Sequence, residues 1–172
     1  YTGDTSIGNY VTLAVSGNSG AGSSFTLAGA NSVFDISGIT PTGYTLTDFG
    51  QTTGTINLGA KTLTLTNAND TNSTVSLTGS GGIIKQGAAN LTLSAPNNYS
   101  GETLVQAGTL TAAHTAALGT GIVTSNAHLN LSFNNGTFSN GIRGAGTAVL
   151  SGDNITLSGD NSNFTGNWTM NH

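Results

Sequence analysis

An alternation of period two, in runs too short for any helix, constrains this chain more than any other feature. It runs through YVTLAV (10–15), SFTLA (24–28), SVFDIS (32–37), YTLTDF (44–49), TINL (55–58), KTLTLT (61–66) and TVSLT (74–78). It continues in LTLS (91–94), TLVQ (103–106), TLTA (109–112), HLNLSF (128–133), TAVLS (147–151) and ITLS (155–158). Leu, Val, Ile and Phe hold one parity and Thr, Ser and Asn the other. That is the pattern of strands with one buried face. Thr and Val also favour extended backbone. The pieces between runs are rich in Gly, Asn and Ser, which is turn material. Few pairs suit a two-residue hairpin; Asn135-Gly136 and Asn140-Gly141 are the exceptions. The nearest approach to a helix is TAAHTAALG (111–119), at most one turn closed by Gly119.

Many short strands with few hairpin signals predict a parallel β-helix, in which each coil turns through two or three strands and stacks on the previous one. A β-sandwich is the competing fold, but it has fewer, more uniform strands joined by clearer hairpins. An internal likeness supports the solenoid. NLTLSAPNNYSG (90–101) aligns with NITLSGDNSNFTG (154–166) after a one-residue insertion, at a separation of about 64 residues. That separation suits three coils of roughly 20–25 residues each. The expectation is one β-helical unit over 1–172, with repeat-like units near 81–121 and 141–170. Both ends read like the middle of such a pattern, as in a piece of a longer rod.

Charge removes several function classes. Only 6% of residues are charged and the net charge is −4. Lys61, Lys85 and Arg143 are the only certain cations. They cannot form the basic footprint that nucleic acid or an anionic membrane requires. There is no Cys, which removes disulfide, thiolate-metal and thiol-nucleophile chemistry together. No apolar run approaches the roughly 20 residues that span a bilayer as a helix. The first ten residues, YTGDTSIGNY, lack the basic and apolar regions of a signal peptide.

The sequence shows no catalytic constellation either. SGDN (151–154) and SGDNSN (158–163) fail the Gly-Asp-Ser-Gly order of a serine-protease turn, so Asp153 and Asp160 read as turn residues. No G-x-S-x-G elbow occurs. His114, His128 and His172 are scattered, and His128 alternates with Leu129 and Leu131, so it points outward. The acids are spread along the chain; Asp35 and Asp48 are the one pair worth inspecting for glycoside chemistry. Calcium-binding nonapeptides are absent. Sequons such as those at Asn72, Asn98 and Asn163 are expected by chance in so Asn- and Thr-rich a chain. Tyr99 and Phe164 follow the aligned strands and read as aromatics packed over a coil edge. The expected catalytic, cofactor-binding and metal-ligating sets are therefore all none.

One stretch carries a family resemblance. GGIIKQGAANLTLSAPNNYSGETLVQAGTLTAAHTAALGTG (81–121) resembles the passenger-associated repeat of autotransporters, the type V secreted proteins of Gram-negative bacteria. The elements are Gly82, Lys85 and Gly87; then Leu91–Ser94 and Asn98–Gly101; then Thr103, Val105, Gly108, Thr109 and Leu110; then Ala117–Gly119. A partial copy lies at 141–170, and residues 1–60 match only in composition and strand rhythm. The resemblance implies a right-handed parallel β-helix carried to the cell surface through a C-terminal outer-membrane β-barrel. It implies a structural repeat, with adhesion, self-aggregation or another virulence role for the passenger. The partners it points to are another copy of the chain or a host-surface ligand. A passive stalk or folding scaffold is the alternative, and a polysaccharide-processing β-helix enzyme is a third reading.

Overall fold

A computed structural model describes residues 5–18, 21–22, 25–47, 49 and 53–171. Among them every strand pairing is parallel, and no helix forms. The sheets stack as a β-solenoid of about 8 turns. One sheet has seven strands: Ala21–Gly22, Gly43–Leu46, Thr62–Thr66, Ile83–Gln86, Thr103–Val105, Val123–Ser125 and Ile142–Arg143. A second has six: Thr71–Ser73, Asn90–Leu93, Thr109–Ala112, His128–Leu131, Thr147–Leu150 and Asn167–Met170. In both, the spatial order of strands is the chain order, so each coil contributes one strand and moves on. The third side is a four-stranded sheet over Thr12–Gly17, Val33–Ile39, Thr55–Asn57 and Ser76–Thr78. Higher up that side is irregular backbone, and then a pair of strands, Gly136–Phe138 and Ile155–Leu157. A further short pair joins Thr5–Ile7 to Phe25–Leu27.

Stacked residues lie 19 to 24 positions apart, as in Leu91 with Leu110, Ile83 with Thr103, Val33 with Thr55 and Ala21 with Thr45. The inward parity makes files of side chains along the axis. Tyr44, Leu63, Ile83, Thr103, Val123 and Ile142 form one; Leu91, Leu110, Leu129 and Ala148 another. All of these are buried. Each buried Leu or Ile contributes about 1.5–3 kcal/mol of hydrophobic stabilisation, so the files hold the coils together. Leu91, Leu93, Leu110, Leu129 and Leu131 are fully buried, as their parity predicts. Ile155 and Leu157 pack against the core but only half-buried.

The internal likeness does not survive as a positional equivalence. Three coils beyond Leu91 stands Ala148, 57 residues on. Ile155 lies 64 residues on and pairs with Gly136 on another side of the solenoid. Phe164 likewise bridges Gly144 in the line above Ser125, Val105 and Lys85, away from the Tyr99 corner. The shared words fit shared local chemistry, strand then hydroxyl-rich corner, placed at different phases of the coil. The segment 111–119 leaves the strand Thr109–Ala112 and ends in a turn: the amide of Ala117 donates to the His114 carbonyl (3.0 Å) and Gly119 closes it at φ +60°. A Cβ at Gly119 would collide with the Tyr99 carbonyl below, so glycine is required there for space as well as for φ. Asn135 and Asn140 start no hairpins. Asn135 takes φ +52° at a corner, and Asn154 above it (φ +55°) donates from Nδ2 to its Oδ1 (2.9 Å).

Candidate functional surface

The outward parity of the six-stranded sheet makes two files of side chains, polar except for Val149. Asn72, Thr92, Thr111, Asn130, Val149 and Thr169 form one. Asn90, Thr109, His128, Thr147 and Asn167 form its neighbour. These groups bond to one another. Asn90 donates from Nδ2 to Thr92 Oγ1 (3.1 Å) and accepts from Thr111 Oγ1 (2.9 Å). Ser94 donates to Asn72 Oδ1 and Ser151 to Asn130 Oδ1, each at 2.6 Å. Thr111 is buried by its neighbours. The hydroxyl–amide ladders therefore spend much of their capacity within the sheet.

The seven-stranded sheet has a different exterior. Hydrogen-bonded stacking aligns Gly82, Glu102, Ile122 and Gly141 in one outward file. Ile84, Leu104, Thr124 and Arg143 form the next. Three aliphatic side chains thus face out together, Ile84 and Leu104 half-buried and Ile122 exposed. A shallow cleft of about 150 Å³ lies among Thr62, Gly82, Ile83, Ile84, Glu102 and Leu104. Beside it Arg143 reaches across two coils. Its Nε donates to Thr124 Oγ1 (2.7 Å) and its second terminal nitrogen to Glu102 Oε1 (2.9 Å). The Thr124 hydroxyl donates to the same carboxylate. Burial pushes the Glu102 pKa up, but the bonds from Thr124 and Arg143 and the Arg143 charge outweigh it and hold the group below its usual value.

The irregular third side carries the Tyr99 corner. Tyr99 is fully buried, its hydroxyl 2.6 Å from Thr103 Oγ1, and burial pushes its phenol pKa strongly upward. Below it, Asn97 ties three coils: its Oδ1 accepts from the Leu77 amide (2.6 Å) and its Nδ2 donates to the Ala117 carbonyl (2.5 Å). Tyr99 is thus a packing residue, as its place in the sequence implied. Phe164 is half-buried and meets Trp168 edge to face, with ring centroids 4.9 Å apart.

The other singled-out residues do not converge. Asp35 Oδ1 accepts from the Ser37 amide (2.8 Å); burial raises its pKa, and hydrogen bonds from Ser37 and Asn57 bring it below the ordinary value. Asp48 lies outside the described residues, as does His172. Asp160 accepts from the Ser162 amide (2.9 Å) as a turn residue should, and Asp153 is exposed at a corner beside Asn134. His114 Nδ1 accepts from the Ala116 amide (3.0 Å), and His128 is exposed on the polar sheet. Among the described residues no three His, Asp or Glu side chains come together as a metal could use. The outward aliphatic group was missed by sequence reasoning. The adjacent pairs Ile83-Ile84 and Leu104-Val105 hide which member faces in.

Comparison with known proteins adds one positive finding. No curated protein and no solved structure matches the chain. Residues 83–112 match the family model of the passenger-associated-transport-repeat. The matched stretch runs from Ile83 through the Tyr99 corner to Ala112, and the repeat implies a surface or secreted location. The repeat and the solenoid together fit a segment of an autotransporter passenger.

Proposed function

We propose that this segment is a non-enzymatic stretch of a surface-displayed passenger and that it pairs with a second copy through the outer face of the seven-stranded sheet. The observation that carries this is the contrast in outward chemistry. On the polar sheet Asn72, Asn90, Thr92, Thr111 and Asn130 spend side-chain hydrogen bonds on one another and on Ser94 and Ser151, whereas Ile84, Leu104 and Ile122 leave an apolar patch in water. The charges beside the patch are also self-complementary. A two-fold axis along the strand through Ile122 and Thr124 sets Glu102 of one copy over Gly141 and beside Arg143 of the other. Opposite charges then meet twice, and a net charge of −4 gives little repulsion between copies. Such a patch is smaller than the roughly 800 Å² per partner of a stable interface, so each contact is weak and works by repetition.

The test uses bacteria displaying the full passenger. Changing Ile84, Leu104 and Ile122 together to Thr should abolish clumping while surface display persists. Unchanged clumping would refute the face assignment. A wild type that never clumps, but binds host cells through the same three residues, would replace the second copy with a host ligand. A wild type that neither clumps nor binds host cells would leave a passive stalk.

A further inference from the structure

Lys85 is the residue that breaks the inward parity most sharply. It stands in the file Leu46, Leu65, Lys85, Val105, Ser125, and its side chain is fully buried. A lysine there would be a serious liability unless its ammonium found partners. It finds three. Nζ donates to the carbonyls of Gln86 (2.7 Å) and Gly87 (2.9 Å) in its own coil, and to that of Ala107 (3.4 Å) in the next. An ammonium has three N–H donors and no acceptor, so the match of donors to carbonyls is complete. A neutral amine would leave one carbonyl unserved. The Lys85 carbonyl completes the junction by accepting from the amides of Gln106 and Ala107. Burial lowers the lysine's pKa and the Asp70 carboxylate pushes partly back.

We infer that Lys85 is a buried cationic lock between two successive coils, and that this corner closes only around an unmodified, charged lysine. The role is conformational: the side chain gathers carbonyls that strand pairing leaves turned inward at the corner opened by Gly87, where φ is +81°. It also makes the junction sensitive to the order of events. Once the coils are stacked, the amine is out of reach of any acylating agent. Before stacking it is an ordinary reactive lysine, and an acyl group there removes the charge and two of the donors.

Acetylation of the full chain with a water-soluble acetylating reagent tests this directly. Lys61, which is not buried, serves as the internal control. Treated in the folded state, the chain should gain acetyl at Lys61, none at Lys85, and keep its unfolding midpoint. Treated in denaturant and then refolded, it should carry acetyl at both and melt well below the first sample. Lys85→Met supplies a second arm, because methionine fills nearly the same apolar volume. It should lower the midpoint clearly and Lys85→Arg should not restore it. Acetylation of folded Lys85 at the rate of Lys61, or a Lys85→Met chain as stable as the wild type, would overturn the proposal.

Discussion

The outer faces of the six- and seven-stranded sheets are built by the same backbone yet treat water in opposite ways. On the six-stranded sheet, Thr and Asn repeat in register from Asn72 to Asn130, so these side chains have a polar neighbour one coil away, roughly 4.8 Å along the axis. That spacing suits side-chain hydrogen bonds between neighbouring strands, and Asn90, Thr92 and Thr111 make them. On the seven-stranded sheet the register brings aliphatic side chains beside a three-coil cluster of Glu102, Thr124 and Arg143. A polar outer face is thus no guide to a binding face in a solenoid. What counts is whether the polar groups already have partners.

The comparison presumes that the parity assignment is right, and the most severe test attacks that. Leu93 is fully buried between Ser73 and Ala112 in adjacent coils. Leu93→Asn should destabilise the fold by about 2–4 kcal/mol through lost burial and a stranded amide, measured by denaturant unfolding. An unmoved midpoint would invert inside and outside and dissolve the comparison.

A smaller effect separates the third side from both sheets. Tyr99→Phe leaves the Thr103 hydroxyl buried without its partner, a loss of about 1–2 kcal/mol at neutral pH. It should also change the alkaline limb. The folded pKa of Tyr99 is raised, so its neutral phenol stabilises the fold fully below the unfolded value of about 10, and that contribution is lost as pH rises further. The variant's unfolding midpoint should therefore fall less steeply above pH about 10 than the wild type's. A residual slope belongs to Tyr44, whose pKa burial also raises. Identical slopes would show that Tyr99 is solvated.

Asn90→Ala then sharpens the contrast between faces. It removes the bonds to Thr92 and Thr111 and should lower stability by about 0.5–1.5 kcal/mol while leaving clumping of displayed passenger untouched. Reduced clumping at full stability would move the contact to the polar sheet. Arg143→Ala should do the reverse. Its pair with Glu102 is exposed, 45% against 42% for the two side chains, so the stability change should be a few tenths of a kcal/mol. Clumping should weaken most at low salt, where the paired charges across the two-fold are least screened. Clumping that ignores both the substitution and the salt would discard the two-fold arrangement.

The legible and illegible parts of this molecule follow from one rule. Where Leu and Thr alternate, as in Thr62–Thr66 or Asn90–Leu93, period two fixes the inner face, and the parallel solenoid follows from many such runs without hairpin turns. Ile83–Gln86 breaks the rule twice, placing Ile84 outside and Lys85 inside. The three carbonyls that make Lys85 tolerable come together only once Ala107 has stacked on its coil. The Tyr99 corner was legible because its buried aromatic is a local feature. The phase of Phe164 was not, since two sides of the solenoid can use the same words and only the register of 19 to 24 residues tells them apart.

That register has a consequence for how such a chain can change in length. Pairing is confined to neighbouring coils, and Gly81, Gly101 and Gly121 approach so closely at one corner that a Cβ on Gly101 or Gly121 would strike the glycine beneath. Excising residues 103–122 would bring Val123 over Ile83 and Leu129 over Leu91, recreating the contacts that Thr103 and Leu110 now make. Removing one or two residues from a strand would instead throw every later side chain out of phase. Length in this molecule is therefore quantised: it can shrink or grow by whole coils of about twenty residues far more readily than by single ones, and a melt of the 103–122 deletion, still cooperative and β-rich, is the reading that goes with it.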